Sequence, residues 1–191
     1  MASSDVRRVV VTGLGMVTPL ADGVDQTWSR LLESQSGIRR IESFDTTDLP
    51  AKIAGQPPVG DGPGCWNADR YVDAKDRRKM DDFIVFAVAA AVQAVEDAGV
   101  APTSDEEAER SGVMIGSGIG GLKTIEQAAL LMHERGPRRV SPFFIPSALI
   151  NLAAGHVSMK YGYKGPNHSV VTACSTGAHA IGDASRLITF D

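Results

Sequence analysis

Cysteine is scarce in this sequence, and the scarcity excludes two classes at once. Cys65 and Cys174 are the only two among 191 residues and lie far apart, so they form neither a disulfide framework nor a cysteine metal site, and they suit a reducing cytoplasm. A long apolar run is also missing. The longest, Phe83 to Val92, falls well short of the roughly 20 residues that cross a bilayer. The opening residues, Met1-Ala2-Ser3-Ser4-Asp5, lack the charged-then-apolar order of a secretory leader. Basic excess is absent too. A formal net charge of −4 argues against general binding of nucleic acid. What is present is apolar material, 43% of the residues, enough to bury one sizeable core. These bounds describe a soluble cytoplasmic protein of one domain, with no membrane or nucleic-acid partner.

Hydrophobic patterning orders the chain. Val9-Val10-Val11-Thr12, ending at Gly13-Leu14-Gly15, reads as a buried strand. Val24, Trp28, Leu31 and Leu32 recur at helical spacing in a first helix over 25–32. From Ile38 to Asn67 periodicity disappears among prolines and glycines, predicting a long surface excursion whose Cys65 and Trp66 serve as lid or packing. The strongest helix runs from Met80 to Ala98 and stops at Gly99; it is apolar on nearly every face and so must be covered on all sides. Gly112-Val113-Met114-Ile115-Gly116 reads as a second buried strand, and Leu122 to about Arg135 as an amphipathic helix ended by Gly136-Pro137. Arg138 to Pro146 reads as an extended loop, Ser147 to Tyr161 as another helix, and a third strand begins near His168. Strand–helix alternation of this kind predicts an α/β sandwich with a largely parallel sheet, whose ligand sites lie beyond the carboxyl ends of the strands.

At the third strand's end, Ser169-Val170-Val171-Thr172-Ala173-Cys174-Ser175-Thr176-Gly177-Ala178 places a thiol at a strand-to-helix corner. Unpaired N–H groups and the macrodipole at a helix start favour negative charge, hence the reactive thiolate. Ala173, Ser175 and Gly177 keep the corner open to a thioester carbonyl. No histidine is well placed to assist. His168 lies six residues back, about 20 Å along an extended strand. His179 lies about 7 Å along the helix axis and roughly 140° round it from Cys174. His133 and His156 fall within other helices.

Gly116-Ser117-Gly118-Ile119-Gly120-Gly121 has the G-x-G-x-x-G form of a dinucleotide fingerprint, so a dinucleotide-binding oxidoreductase is one alternative. The acidic strand end required about 20 residues on is not found, and close backbone packing or ligand approach is the favoured reading, with the loop on the same rim as Cys174.

These stretches together resemble the type II β-ketoacyl-acyl carrier protein synthases of dissociated fatty acid synthesis. The resemblance runs from Arg8 to Met16 through Ser36-Gly37-Ile38, Arg78-Lys79-Met80-Asp81, Gly116 to Gly121 and Pro137 to Ser147, ending at Thr172-Ala173-Cys174-Ser175-Thr176-Gly177. It implies a thiolase-like layered α/β sandwich, with residues 1–191 as the N-terminal half of a duplicated fold, truncated before the C-terminal half. It implies decarboxylative Claisen condensation: Cys174 holds an acyl chain as thioester, and malonyl-acyl carrier protein extends it by two carbons to 3-oxoacyl-acyl carrier protein. It also implies Ile119 at the acyl pocket, no cofactor or metal, and a homodimer of the complete protein through Ser169 to Thr172. Lys75, Arg78, Lys79, Arg138 and Arg139 are candidates for docking the acidic carrier protein. The family's catalytic histidines belong to the second half, so the 191 residues alone are expected not to condense, with exposed apolar surface and self-association. The alternative is a non-catalytic synthase-like partner or fragment.

Overall fold

The computed structural model describes residues 7–190. In chain order its elements are α1 (Val24–Leu32), β1 (Ile38–Arg40), β2 (Ile53–Gly55), α2 (Ala74–Arg77), α3 (Asp82–Ala98), α4 (Asp105–Glu109), β3 (Val113–Met114), α5 (Leu122–Arg135), α6 (Phe144–Ala148), α7 (Leu152–Tyr161), β4 (Asn167–His168) and α8 (Thr176–Phe190). Short 3-10 turns occupy Ala68–Arg70, Pro137–Arg139 and Ala173–Ser175.

Helix α3 organises the core. The Asp81 side chain caps its start, and Gly99 closes its end in the left-handed region at φ 62°. No residue from 83 to 95 is exposed, as an all-round apolar helix requires. Ile84, Val85, Val88 and Val92 pack with Ala154 and Val157 of α7, Val113 of β3 and Val72. α7 contacts both strands of the parallel β3–β4 pair, and α8 contacts β3. The parallel pairing is short, joining Val113 to Asn167 and Met114 to His168. Its neighbours on α8 leave Ile181, Leu187, Ile188 and Phe190 exposed, the bare apolar surface the sequence led us to expect.

Three elements differ from expectation. Val9 to Thr12 forms no strand: it has no ladder neighbour among the described residues, and Val10 and Val11 stay exposed. The segment is tied to α3 instead, the Leu14 N–H donating to Asp97 Oδ2 and the Met16 N–H to Gln93 Oε1, each at 2.9 Å. A β-carbon at Gly13 would fall 2.1 Å from the Ala94 carbonyl oxygen, so only glycine permits this approach. Second, the excursion after Ile38 contains the antiparallel β1–β2 pair, with Ile38 opposite Gly55 and Arg40 opposite Ile53. Three-residue strands with no buried face leave no alternation to read. Trp66 fastens the excursion to the core, stacked on Tyr71 at 5.8 Å and tilted against Phe86 at 4.9 Å. Third, the loop over 138–146 is a 3-10 turn followed by the start of α6, and the helix expected over 147–161 is broken at Leu149, whose ψ is 132°. Pro146 sits in the first turn of α6, where a missing N–H costs no helical hydrogen bond.

One buried carboxylate locks these pieces together. Asp22 accepts from the Tyr71 hydroxyl at 2.9 Å and from Gln93 Nε2 at 2.8 Å, with the Arg70 guanidinium 3.8 Å away. Loop, turn and α3 are thereby held in one register.

Candidate active site

The ladder from β4 stops at His168, and Ser169 to Thr172 run on without strand partners among the described residues. The expected third strand is therefore reduced to Asn167 and His168. Side chains replace the ladder: Ser169 Oγ donates to the Ile115 carbonyl at 2.7 Å. The chain then turns sharply at Ala173, whose φ of 49° is left-handed and costs a residue with a β-carbon about 1 kcal/mol. The head of α8 holds that turn in place. The Thr176 hydroxyl, buried, donates to the Ala173 carbonyl at 2.7 Å and accepts from the Thr172 N–H at 2.9 Å. Ser175 donates through both its N–H, at 3.1 Å, and its hydroxyl, at 2.7 Å, to the Thr172 carbonyl. Cys174 stands exposed at the centre of this 3-10 turn, and nothing lies within 4 Å of the missing β-carbon of Gly177. The thiol is thus held on a rigid turn with an open approach.

The glycine loop abuts the same turn. A β-carbon at Gly116 would fall 2.2 Å from Thr176 Cγ2 and 2.3 Å from the Val170 carbonyl, and one at Gly118 would lie 3.6 Å from Ala173 Cα. On its far side the Gly121 N–H donates to the Ala148 carbonyl at 3.0 Å. Close packing against the cysteine turn and α6 accounts for these glycines, and α5 leads into a 3-10 turn where a dinucleotide fold needs an acidic strand end. Ile119 projects from this loop with 68% of its surface exposed.

The five basic residues lie on other elements, Lys75 in α2, Arg78 and Lys79 just after it, and Arg138 and Arg139 in the second 3-10 turn. Lys79 pairs with Asp76 at 2.9 Å and lies 5.8 Å from the centre of the Phe143 ring, which brings the end of α2 to the segment carrying Arg138 and Arg139. Arg78, Val140, Phe144 and Lys123 line a common cavity of about 320 Å³. Lys75, Arg78, Arg138 and Arg139 are exposed. No hydrogen bond or ion pair among the described residues joins the five to the Cys174 turn.

Histidine geometry is informative. His156 is half-buried in a second cavity with Asp76, Lys79 and Lys160. Desolvation holds its imidazole below the usual range, Lys79 adding to that effect and Asp76 opposing it. His179 faces back along α8, its Nδ1 3.3 Å from Thr172 Oγ1 and its Nε2 3.1 Å from Asp183 Oδ2. Sequence reasoning passed over Thr172, Thr176 and this use of His179. The available signal was the cluster of hydroxyl residues around the cysteine, types that cap helices and turns.

Comparison with known proteins places this geometry. The family described as beta-ketoacyl synthase, N-terminal domain, matches residues 6–189. A 3-oxoacyl-[acyl-carrier-protein] synthase 2 of Rhizobium meliloti (strain 1021) is 58% identical over 184 residues, covering 96% of this chain and 44% of the relative. The crystal structure of a beta-ketoacyl synthase from Burkholderia phymatum STM815 superposes with a TM-score of 0.72 at 30% identity, over 95% of this chain and 43% of that one. A ketosynthase from a complex with its type II PKS acyl-carrier protein gives 0.73 at 23% identity, over 96% and 48%, and so shares the fold. The chain spans somewhat under half the length of the relatives it matches. Fold, cysteine turn and sequence agree that the chain belongs to the β-ketoacyl synthase family, through that family's N-terminal domain.

Proposed function

We propose that Cys174 receives an acyl chain from an acyl-carrier protein and holds it as a thioester for decarboxylative condensation with malonyl-carrier protein. The observation that carries this reading is an exposed cysteine on a hydroxyl-clamped turn at the head of α8, in a chain 58% identical to a 3-oxoacyl-[acyl-carrier-protein] synthase. The sulfur attacks the thioester carbonyl, a new S–C bond forms, and the carrier's sulfur leaves and takes up the proton. Malonyl-carrier protein then loses carbon dioxide, and the electron pair freed from the broken C–C bond attacks the acyl carbonyl. Cys174 leaves as thiolate, and the 3-oxoacyl chain departs two carbons longer. A sulfur suits both steps because it is a strong nucleophile and a good leaving group.

The enolate formed on decarboxylation needs hydrogen-bond donors. His179 is engaged by Thr172 and Asp183, and His156 sits in a different cavity. From the family resemblance we assign those donors to a second half beyond the N-terminal domain, residues 1–191 being the N-terminal half. Ile119, exposed beside the cysteine turn, lies where an acyl chain would run. Lys75, Arg78, Lys79, Arg138 and Arg139 form the docking face for an acidic carrier protein. Ser169 to Thr172, without strand partners among the described residues, are offered to a second copy, giving a homodimer, and two unbridged cysteines fit a cytoplasmic setting.

The test follows an acyl group supplied on carrier protein. Free carrier thiol should appear one for one with acylated chain, and added malonyl-carrier protein should give no 3-oxoacyl product from the 191 residues alone. A carrier that stays acylated overturns the proposal. Release of a 3-oxoacyl product overturns the assignment of the enolate donors.

A further inference from the structure

We infer that His179 is a positioning residue for Cys174, acting through Thr172, with Asp183 setting its tautomer. The inference rests on the reading of Cys174 as the nucleophile and adds residues to it. Thr172 and Cys174 flank Ala173, the one residue of this turn with a positive φ. Where the chain runs through a strained conformation, the surrounding side chains must hold it there. Thr176 and Ser175 hold the backbone atoms of the turn. The Thr172 side chain is held by His179 alone among the described residues, at 3.3 Å.

The direction of that bond follows from the partner on the other side of the ring. Asp183, four residues on and so on the same helix face, lies 3.1 Å from Nε2. A carboxylate accepts, so Nε2 carries a hydrogen; in the tautomer where that is the ring's one hydrogen, Nδ1 is an acceptor. The Thr172 hydroxyl then donates to Nδ1. The chain Thr172 to His179 to Asp183 has the logic of an oriented base, but it ends on the hydroxyl beside the nucleophile's turn rather than on the sulfur. Its product is a fixed sulfur position. Among the described residues His179 makes no hydrogen bond to Cys174; it reaches Thr172, seven residues back and just ahead of the 3-10 turn.

Replacement of single ring nitrogens separates this role from general packing. Asn at 179 can put an acceptor oxygen where Nδ1 stood, whereas Gln extends its amide toward the Nε2 position. The readout is the second-order rate of iodoacetamide alkylation at Cys174 in the full chain, resolved from Cys65 by peptide mass, with melting temperature measured beside it. His179→Ala and His179→Gln should react about fivefold more slowly, the equivalent of one lost hydrogen bond. His179→Asn should recover most of the rate at an unchanged melting temperature. If the Ala variant fails to fold, the Asn and Gln pair makes the comparison alone. Equal rates in Asn, Gln and wild type overturn the inference, as does a loss of rate that only tracks a loss of stability. A wild-type Cys174 that does not react at all removes the nucleophile reading itself, and this inference with it.

Discussion

Gly116 and Thr176 touch so closely that a β-carbon on the glycine would fall 2.2 Å from the threonine Cγ2. The same threonine clamps both sides of Ala173, so the glycine loop and the Cys174 turn are one packed unit. Gly116→Ala must displace either Thr176 or the Val170 carbonyl, and we expect a loss of about 2 kcal/mol with slower alkylation of Cys174. Gly118→Ala is the contrast. Its β-carbon would meet Ala173 at an ordinary 3.6 Å, and its melting curve should stay close to wild type. Thermal unfolding followed by circular dichroism separates the two.

A second prediction concerns Asp81, buried at 8% exposure. One carboxylate oxygen accepts from both the N–H and the hydroxyl of Thr124, at 3.0 and 2.7 Å, while the other caps α3. Asp81→Ala orphans these donors together and should cost about 2 kcal/mol, a fall of roughly 4–8 °C in melting temperature. Thr124→Val removes the hydroxyl only and should cost less.

Acid sensitivity should trace to His156. Burial lowers its pKa in the folded chain, so the unfolded chain binds the proton more readily and stability rises with pH through that interval. The contribution is complete above the unfolded value, about 6.5, and is lost as pH falls toward the folded one. Melting temperature should therefore drop between pH 7 and pH 5, and drop less in His156→Asn. Asp45, Asp76, Asp105 and Glu107 are held below their usual values by hydrogen bonds from Thr47, Lys79, Lys164 and Thr103 respectively. Their effects belong below about pH 4.5 and do not overlap this window. Identical pH slopes for both chains would contradict the assignment.

Charge reversal at Arg78 and Lys79 tests the proposed docking face. The double variant to Glu should raise the apparent KM for acyl-carrier protein about tenfold at low salt, with the difference narrowing as ionic strength rises. An unchanged KM removes these residues from the docking surface.

The long elements were legible because single chemical facts decide them. Gly99 and Gly136-Pro137 stop α3 and α5 where the sequence says they must, and the unbroken apolar face of residues 83–92 matches the burial of α3. The position of Cys174 at a helix head could be read from the small residues after it. Pairing was the blind spot. Val9 to Thr12 and Ser169 to Thr172 carry strand-forming residues, but a ladder also needs a neighbour, which propensity does not report. The positive φ of Ala173 has no signature in a residue type that disfavours it. The contact of His179 with Thr172 was not legible either, because Thr172 lies outside α8, where helical spacing gives no distance.

Cys174 as the acyl-holding residue is the claim on which the rest depends. Its most direct test is peptide mass mapping after the chain has been incubated with acyl-carrier protein, in wild type and in Cys174→Ala. The account predicts one acyl group per wild-type chain, found on the peptide containing Cys174, and none on the variant. An acyl group on Cys65, or equal acylation of the two proteins, would contradict it.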